Sequence, residues 1–119
     1  LATVGLTNAE RIGHRQPIQS GKYGTINIAV EISAALTEAA QIEALTIATQ
    51  ARTAAVMEVQ HMLPQGPATG TGTDCIALAA PVGDTDYAGL HTAVGEAVGR
   101  AVYEAVLAGA QAWTAPTSS

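Results

Sequence analysis

Apolar positions along this chain repeat with two periods. Over "TINIAVEI" (25–32), Ile26, Ile28, Val30 and Ile32 alternate with Thr25, Asn27, Ala29 and Glu31. A period of two is the mark of a half-buried strand. "ATVGLT" (2–7) reads as a shorter strand, and "CIALAAPV" (75–82), apolar without a break, predicts a central strand covered on both faces. Between them the period lengthens to that of a helix. From a cap at Ser33 or Thr37 to about His61, one broad face collects Leu36, Ala40, Ala44, Ile47, Ala48, Ala51, Ala54 and Ala55. Leu45, Val56 and Val59 widen it, and Pro64 stands beyond its end. Arg52 falls inside the widened face, where a charged head needs a partner or a route to solvent. A second helix is predicted over roughly 88–110, capped by Thr85 or Asp86, with Val94, Val98, Val102 and Val106 inward. Gly95 and Gly99 at its edge would admit another backbone. Segments 8–24 and 63–74, rich in Gly, Pro and polar residues, read as loops.

The order strand, strand, helix, strand, helix predicts an α/β fold, a mixed sheet covered by two main helices in a sandwich-like arrangement. A chain of 119 residues suits a single domain, 1–119. Composition changes that picture in one respect. There is no Phe and aromatics make up 3%, so each core side chain buries little area. Further apolar surface is therefore expected, either in a homo-oligomer or against residues preceding this segment. A net charge of −5 with one lysine, Lys22, disfavours nucleic acid as a partner. No apolar run reaches the roughly 20 residues of a membrane span. "LATVGLTNAERIG" lacks the regions of a signal peptide, and a lone Cys75 excludes an internal disulfide. A cytoplasmic location is expected, with Cys75 a small core residue.

The chemistry concentrates in "ATGTGTDCIALAAP" (68–81). No Lys-Ser/Thr pair follows Gly72, and Cys75 stands where a dinucleotide fingerprint needs a third glycine. Both phosphate motifs also open a helix, whereas this loop enters a strand. Gly70 and Gly72 can instead aim successive amides into one concavity, ringed by the hydroxyls of Thr69, Thr71 and Thr73 and the carboxylate of Asp74. Such parts can stabilise an oxyanion and move protons. The plainer alternative is a glycine-rich turn in which Asp74 bonds its own loop. His91 projects inward from the first turn of the second helix, where the positive helix end favours a neutral imidazole able to act as base. A satisfied core histidine is the alternative. Glu96 is a weaker partner for it, since five helical residues place the two about 140° apart. His14, His61 and His91 show no paired-ligand spacing, so neither a metal nor a cofactor is expected, and His61 reads as a helix C-cap.

Taken as blocks, the same residues resemble a known family. "VGLTNAERIG" (4–13), "GTINIAV" (24–30), "ATQARTAAV" (48–56), "ATGTGTDCIALAAP" (68–81) and "YAGLHTAVGEAVGRAVYEAV" (87–106) are together similar to the CbiZ family of adenosylcobinamide amidohydrolases. The resemblance implies corrinoid salvage. Such enzymes hydrolyse the amide joining the aminopropanol arm to the corrin ring, leaving adenosylcobyric acid and 1-amino-2-propanol. The corrinoid is then substrate, not cofactor. On this reading the amides of Gly70 to Thr73 form the oxyanion hole, and His91 or Asp74 is the general base, the other orienting it or protonating the amine. Asn8, Asn27, Arg52, Thr69 and Tyr87 contact substrate. Direct attack by water is favoured over attack by Thr71 or Thr73. Members of the family are usually longer, so the chain looks like a C-terminal portion. Leu90 stands where they commonly carry lysine, and Gln50 where "ATEAK" has a carboxylate. These departures keep a non-catalytic corrinoid-binding or oligomerisation domain as the alternative.

Overall fold

The computed structural model describes residues 1–17, 21 and 23–116. Positions 18–20 and 22 of the expected first loop, Lys22 among them, and 117–119 of the tail lie outside the described residues. The elements run β1 (Ala2–Val4), β2 (Ala9–Glu10), β3 (Ile26–Glu31), α1 (Glu38–Glu58), β4 (Met62–Leu63), β5 (Gly66–Pro67), β6 (Gly70–Thr71), β7 (Cys75–Ala79) and α2 (Ala93–Thr114). The main sheet has the order β1-β3-β7. β1 lies antiparallel to β3, with Ala2 opposite Ile28, and β7 lies parallel to it, with Asn27 opposite Cys75. A parallel pair needs a long crossover, which α1 supplies. The mixed sheet under two helices is the architecture that the alternating periods predict.

β3 behaves as its pattern requires, with Ile26 and Ile28 buried and Asn27, Ala29 and Glu31 exposed. The Thr37 hydroxyl caps α1 by accepting from the Ala40 amide at 3.2 Å. The buried residues of α1 are five alanines with Ile47 and Val56. Such short side chains let backbones approach. A Cβ at Gly99 would stand 3.5 Å from Ile47 Cγ2, and one at Gly109 would stand only 2.7 Å from Val4 Cγ2. α2 therefore lies close against both α1 and β1. Leu6, Ile26, Leu36, Val56 and Val106 are the largest fully buried side chains of the core between these layers.

Three expectations need correcting. First, α2 starts at Ala93 under a Thr92 cap, not near 88 under Thr85 or Asp86. The Thr85 backbone is already committed, donating to Ala35 O at 3.0 Å and accepting from the Thr37 amide at 3.0 Å. The Thr92 hydroxyl makes two bonds, accepting from the Gly95 amide at 2.9 Å and donating to Gly89 O at 2.8 Å. His91 thus precedes the cap and is exposed, rather than facing inward from a first turn. Second, α1 ends at Glu58, so His61 lies beyond its last turn and does not cap it. Third, β7 is an edge strand, with Cys75, Ala77 and Ala79 exposed and Ile76 and Leu78 half-buried. Helices cover one sheet face, and small residues cost little to leave on the other.

Two outcomes follow. A Cβ on Gly95 would lie 1.9 Å from Gly89 O and 2.7 Å from Ala88 O, both fixed backbone atoms. Gly95→Ala should lower unfolding free energy by about 3 kcal/mol in a denaturant titration; a change within 0.5 kcal/mol of zero would contradict this packing. Cys75 should react with a thiol reagent in native buffer as fast as after denaturation, to within about tenfold, since its residue is exposed. A thiol silent until unfolding would mean that the open sheet face is covered in solution.

Candidate active site

The charge that α1 carries among its aliphatics finds its partner across the fold. Arg52 Nη1 donates to Asp74 Oδ2 in a salt bridge whose side chains are 16% and 9% exposed. Arg52 Nε donates to Thr53 Oγ1 at 3.3 Å, and neither bond uses Nη2. Asp74 is saturated from its own loop as well. It accepts from the Thr71 amide at 3.1 Å to both carboxylate oxygens, and from the Thr71 hydroxyl. The ion pair lies directly over Gly70, where a Cβ would stand 2.5 Å from Asp74 Oδ2 and 3.1 Å from Arg52 Nη1. That close approach is what the first glycine of the loop provides.

β6 is short, yet a ladder holds it. β2 pairs with it antiparallel, Ala9 opposite Thr71 and Glu10 opposite Gly70. The Gly72 amide donates to Asn8 O at 3.0 Å and the Thr69 amide to Glu10 O at 2.9 Å. The buried Thr69 hydroxyl accepts from the Ile12 amide at 2.8 Å. Beyond the bend, the Thr25 hydroxyl donates to Thr73 O at 2.8 Å. Around this ladder opens a cleft of about 880 Å³, lined chiefly by residues 6–17 and 69–74 together with Arg52, His61 and Leu63. Its ionisable groups are Glu10, Arg11, His14, Arg15, Arg52, His61 and Asp74.

The structure brings together Asn8, Arg52, Thr69, Gly70, Thr71, Gly72, Thr73 and Asp74 in that cleft. It does not bring His91, Asn27, Tyr87 or Glu96 to it. His91 and Tyr87 are exposed in the turn before α2, and Asn27 lies on the open sheet face, its amide reaching Thr3 Oγ1 at 3.3 Å. Glu96 lines a separate depression of about 440 Å³ with Leu90, Gly99, Arg100 and Tyr103. The Tyr103 hydroxyl there is pushed above its ordinary pKa by lost hydration and then by the Glu58 carboxylate beside it. The expected meeting of His91 with the Gly-Thr loop therefore does not occur within one chain, because the late start of α2 leaves the imidazole outside.

The expected amide concavity is also occupied. Neither Gly70 nor Gly72 adopts a positive φ. The Thr71 amide serves Asp74, that of Gly72 serves Asn8, and that of Thr73 reaches Thr71 Oγ1 at 3.4 Å. The bend is thus the self-bonded turn of the plainer reading, and Arg52, reaching it from α1, brings N–H donors to the cleft. Glu10, Arg11 and His14 were missed as site residues. Their signal is the density of ionisable groups over 10–15, which begins in the block "NAERIG" (8–13) and runs on through His14 and Arg15. Glu10 Oε2 accepts from the Gln16 amide at 2.9 Å, and Arg11 Nη1 donates to Pro67 O at 2.7 Å. His61 packs edge-on against Trp113, ring centroids 5.4 Å apart. Among the described residues no group of three or more His, Cys, Asp or Glu could hold a metal ion.

The family model for adenosylcobinamide amidohydrolase, CbiZ, matches residues 1–118. The chain belongs to the CbiZ family. An uncharacterized protein of Methanocaldococcus jannaschii is 39% identical over 90 residues, covering 72% of this chain and 35% of that protein. The chain thus spans about a third of the length of that curated relative. No solved structure matches. CbiZ is an amidohydrolase family, and the blocks 4–13, 48–56 and 68–81 that resemble it each contribute residues to the cleft around the Arg52–Asp74 pair. Among the described residues no helix is long and apolar enough to cross a membrane.

The ion pair should be read directly from stability. Breaking a pair set in a cleft wall falls between the exposed and buried limits, so Asp74→Asn and Arg52→Met should each cost about 2 kcal/mol. A double-mutant cycle should give a coupling of about 2 kcal/mol. Additive losses would show that the two side chains do not interact in solution.

Proposed function

We propose that the protein hydrolyses the amide between the aminopropanol arm and the corrin ring of adenosylcobinamide. The observation that supports this most is the one cleft in which three family-like blocks meet around a positioned arginine. Asp74 is a positioning residue. With its oxygens engaged by Thr71 and Arg52, it holds the guanidinium and has little capacity left to act as base. Arg52 polarises the scissile carbonyl and receives the oxyanion through donors not given to Asp74. Glu10, opposite Gly70 in the ladder, is the general base in this scheme.

Water oxygen adds to the amide carbon as its proton passes to Glu10. The tetrahedral oxyanion rests beside Arg52. The carbon–nitrogen bond then breaks, Glu10 returns the proton to the leaving nitrogen, and the products are adenosylcobyric acid and 1-amino-2-propanol. Asn8, Gly72 and Thr73 meet the amide fringe of the corrin at the cleft mouth. His91 and Glu96 enter this scheme only if a second copy or further chain supplies them. One observation favours the binding-module alternative: of the loop amides expected to catalyse, those of Thr71 and Thr73 are engaged within the loop and that of Gly72 by Asn8.

Incubation with adenosylcobinamide should release 1-amino-2-propanol and adenosylcobyric acid, detected by mass spectrometry. Arg52→Met and Glu10→Gln should each lower kcat by about 100-fold, and His91→Ala by less than about threefold. Corrinoid binding without product would replace the hydrolase with the binding module. A large loss in His91→Ala alone would move the chemistry to the turn before α2.

A further inference from the structure

The cleft holds more positive charge than the proposed hydrolysis uses. Arg11, Arg15 and Arg52 line it against the carboxylates of Glu10 and Asp74, in a chain whose formal charge is −5. Arg52 and Asp74 neutralise one another. Glu10 takes a backbone amide, not an arginine. Among the described residues neither Arg11 nor Arg15 forms an ion pair, and Arg11 is nonetheless fixed in place. Its Nη1 donates to the neutral Pro67 carbonyl, and its side chain lies across Gly66, where a Cβ would stand 3.2 Å from Nε. Gly66 has a φ of 137°, so the hairpin of β4 and β5 presents that carbonyl through a backbone that other residues rarely adopt.

A pinned guanidinium outside any ion pair, in a concave wall that a second arginine also lines, is a receptor for a planar anion. Resting on the hydrolase reading, we propose that Arg11 and Arg15 form a carboxylate subsite that holds the acid product of the cleft's reaction. Amide hydrolysis replaces a neutral carboxamide by a carboxylate at the reacting carbon, so the anion arises inside the cleft as the bond breaks. The subsite binds product more tightly than substrate. The product then inhibits competitively.

Equilibrium dialysis tests this with adenosylcobyric acid and adenosylcobinamide in separate cells, the corrinoid on each side identified by mass spectrometry. At low salt the acid should bind about tenfold more tightly than the amide, the margin of one good charge-assisted contact. The preference should shrink several-fold at high salt. It should fall to within about twofold in Arg11→Met and to an intermediate value in Arg15→Gln. Because Arg11 also supports the hairpin, Arg15→Gln decides if Arg11→Met fails to fold. Equal binding of acid and amide by the wild type, or an unchanged preference in Arg15→Gln, overturns the subsite. Aminopropanol is measured in the same cells. Its release without an acid preference removes the subsite and leaves the hydrolase; an acid preference without release removes the hydrolase and leaves an anion-selective corrinoid cleft.

Discussion

The salt bridge between Arg52 and Asp74 is the constraint from which the site follows. It ties the middle of α1 to the bend that enters β7, two parts of the chain 22 residues apart. Its two charges are mostly removed from water, a loss that the pair alone would not offset without further hydrogen bonds. The bend supplies them through the amide and hydroxyl of Thr71. Gly70 leaves space for the pair to lie on the backbone, and the β2–β6 ladder fixes that backbone against Glu10. Three hydroxyls, two glycines and a carboxylate are therefore parts of one support. Thr69 anchors the segment 10–12, Thr71 saturates Asp74, and Thr73 ties the bend to the residues before β3, its hydroxyl donating to Gly24 O and its carbonyl accepting from the Thr25 hydroxyl.

Much of the fold was legible because it rests on periodicity. The alternation over 25–32 and the alanine face of α1 report burial directly, and most of both lies in the core where the period puts it, although Leu45 and Ala54 of that face are exposed. Arg52 was legible as an exception needing a partner. The identity of that partner was not, because it depends on how α1 crosses β6, which no local pattern encodes. The start of α2 failed for a related reason. Thr85, Asp86 and Thr92 are all favoured cap residue types, Asp more so than Thr. What selects Thr92 is a tertiary commitment, the bridge of Thr85 to the segment 35–37. β7 departs from its pattern because an unbroken apolar run predicts burial on both faces, whereas its alternate positions are Cys and Ala, small enough to stay exposed.

The site was half legible for the same physical reason. A Gly-Thr-Asp cluster announces a tight, polar, well-bonded bend, but composition does not say whether its donors face inward or outward. Here most are consumed by the loop itself, and the groups left to the cleft come from Arg52 and from 8–16, a segment whose polar residues look like solvent-facing loop. Glu10 and Arg11 acquire meaning only through the ladder that sets them beside Gly70 and Pro67.

The small-residue core and the crowded cleft are linked. Layers held as close as Gly109 to Val4 and Gly99 to Ile47 leave no interior volume for long polar side chains. Arg52 is the exception, and its head reaches the cleft wall rather than the core. Ionisable chemistry is thereby displaced to the rim, where the two-residue ladders β2–β6 and β4–β5 stand outside the main sheet. Such short ladders have little intrinsic stability. Their rigidity comes from side-chain bonds: Arg11 to Pro67 joins the two ladders, Thr69 to Ile12 braces the end of the first, and Arg52 of α1 holds the bend beyond it through Asp74. The residues that position the chemistry are thus also those that hold its platform together, so the site and its local fold form together.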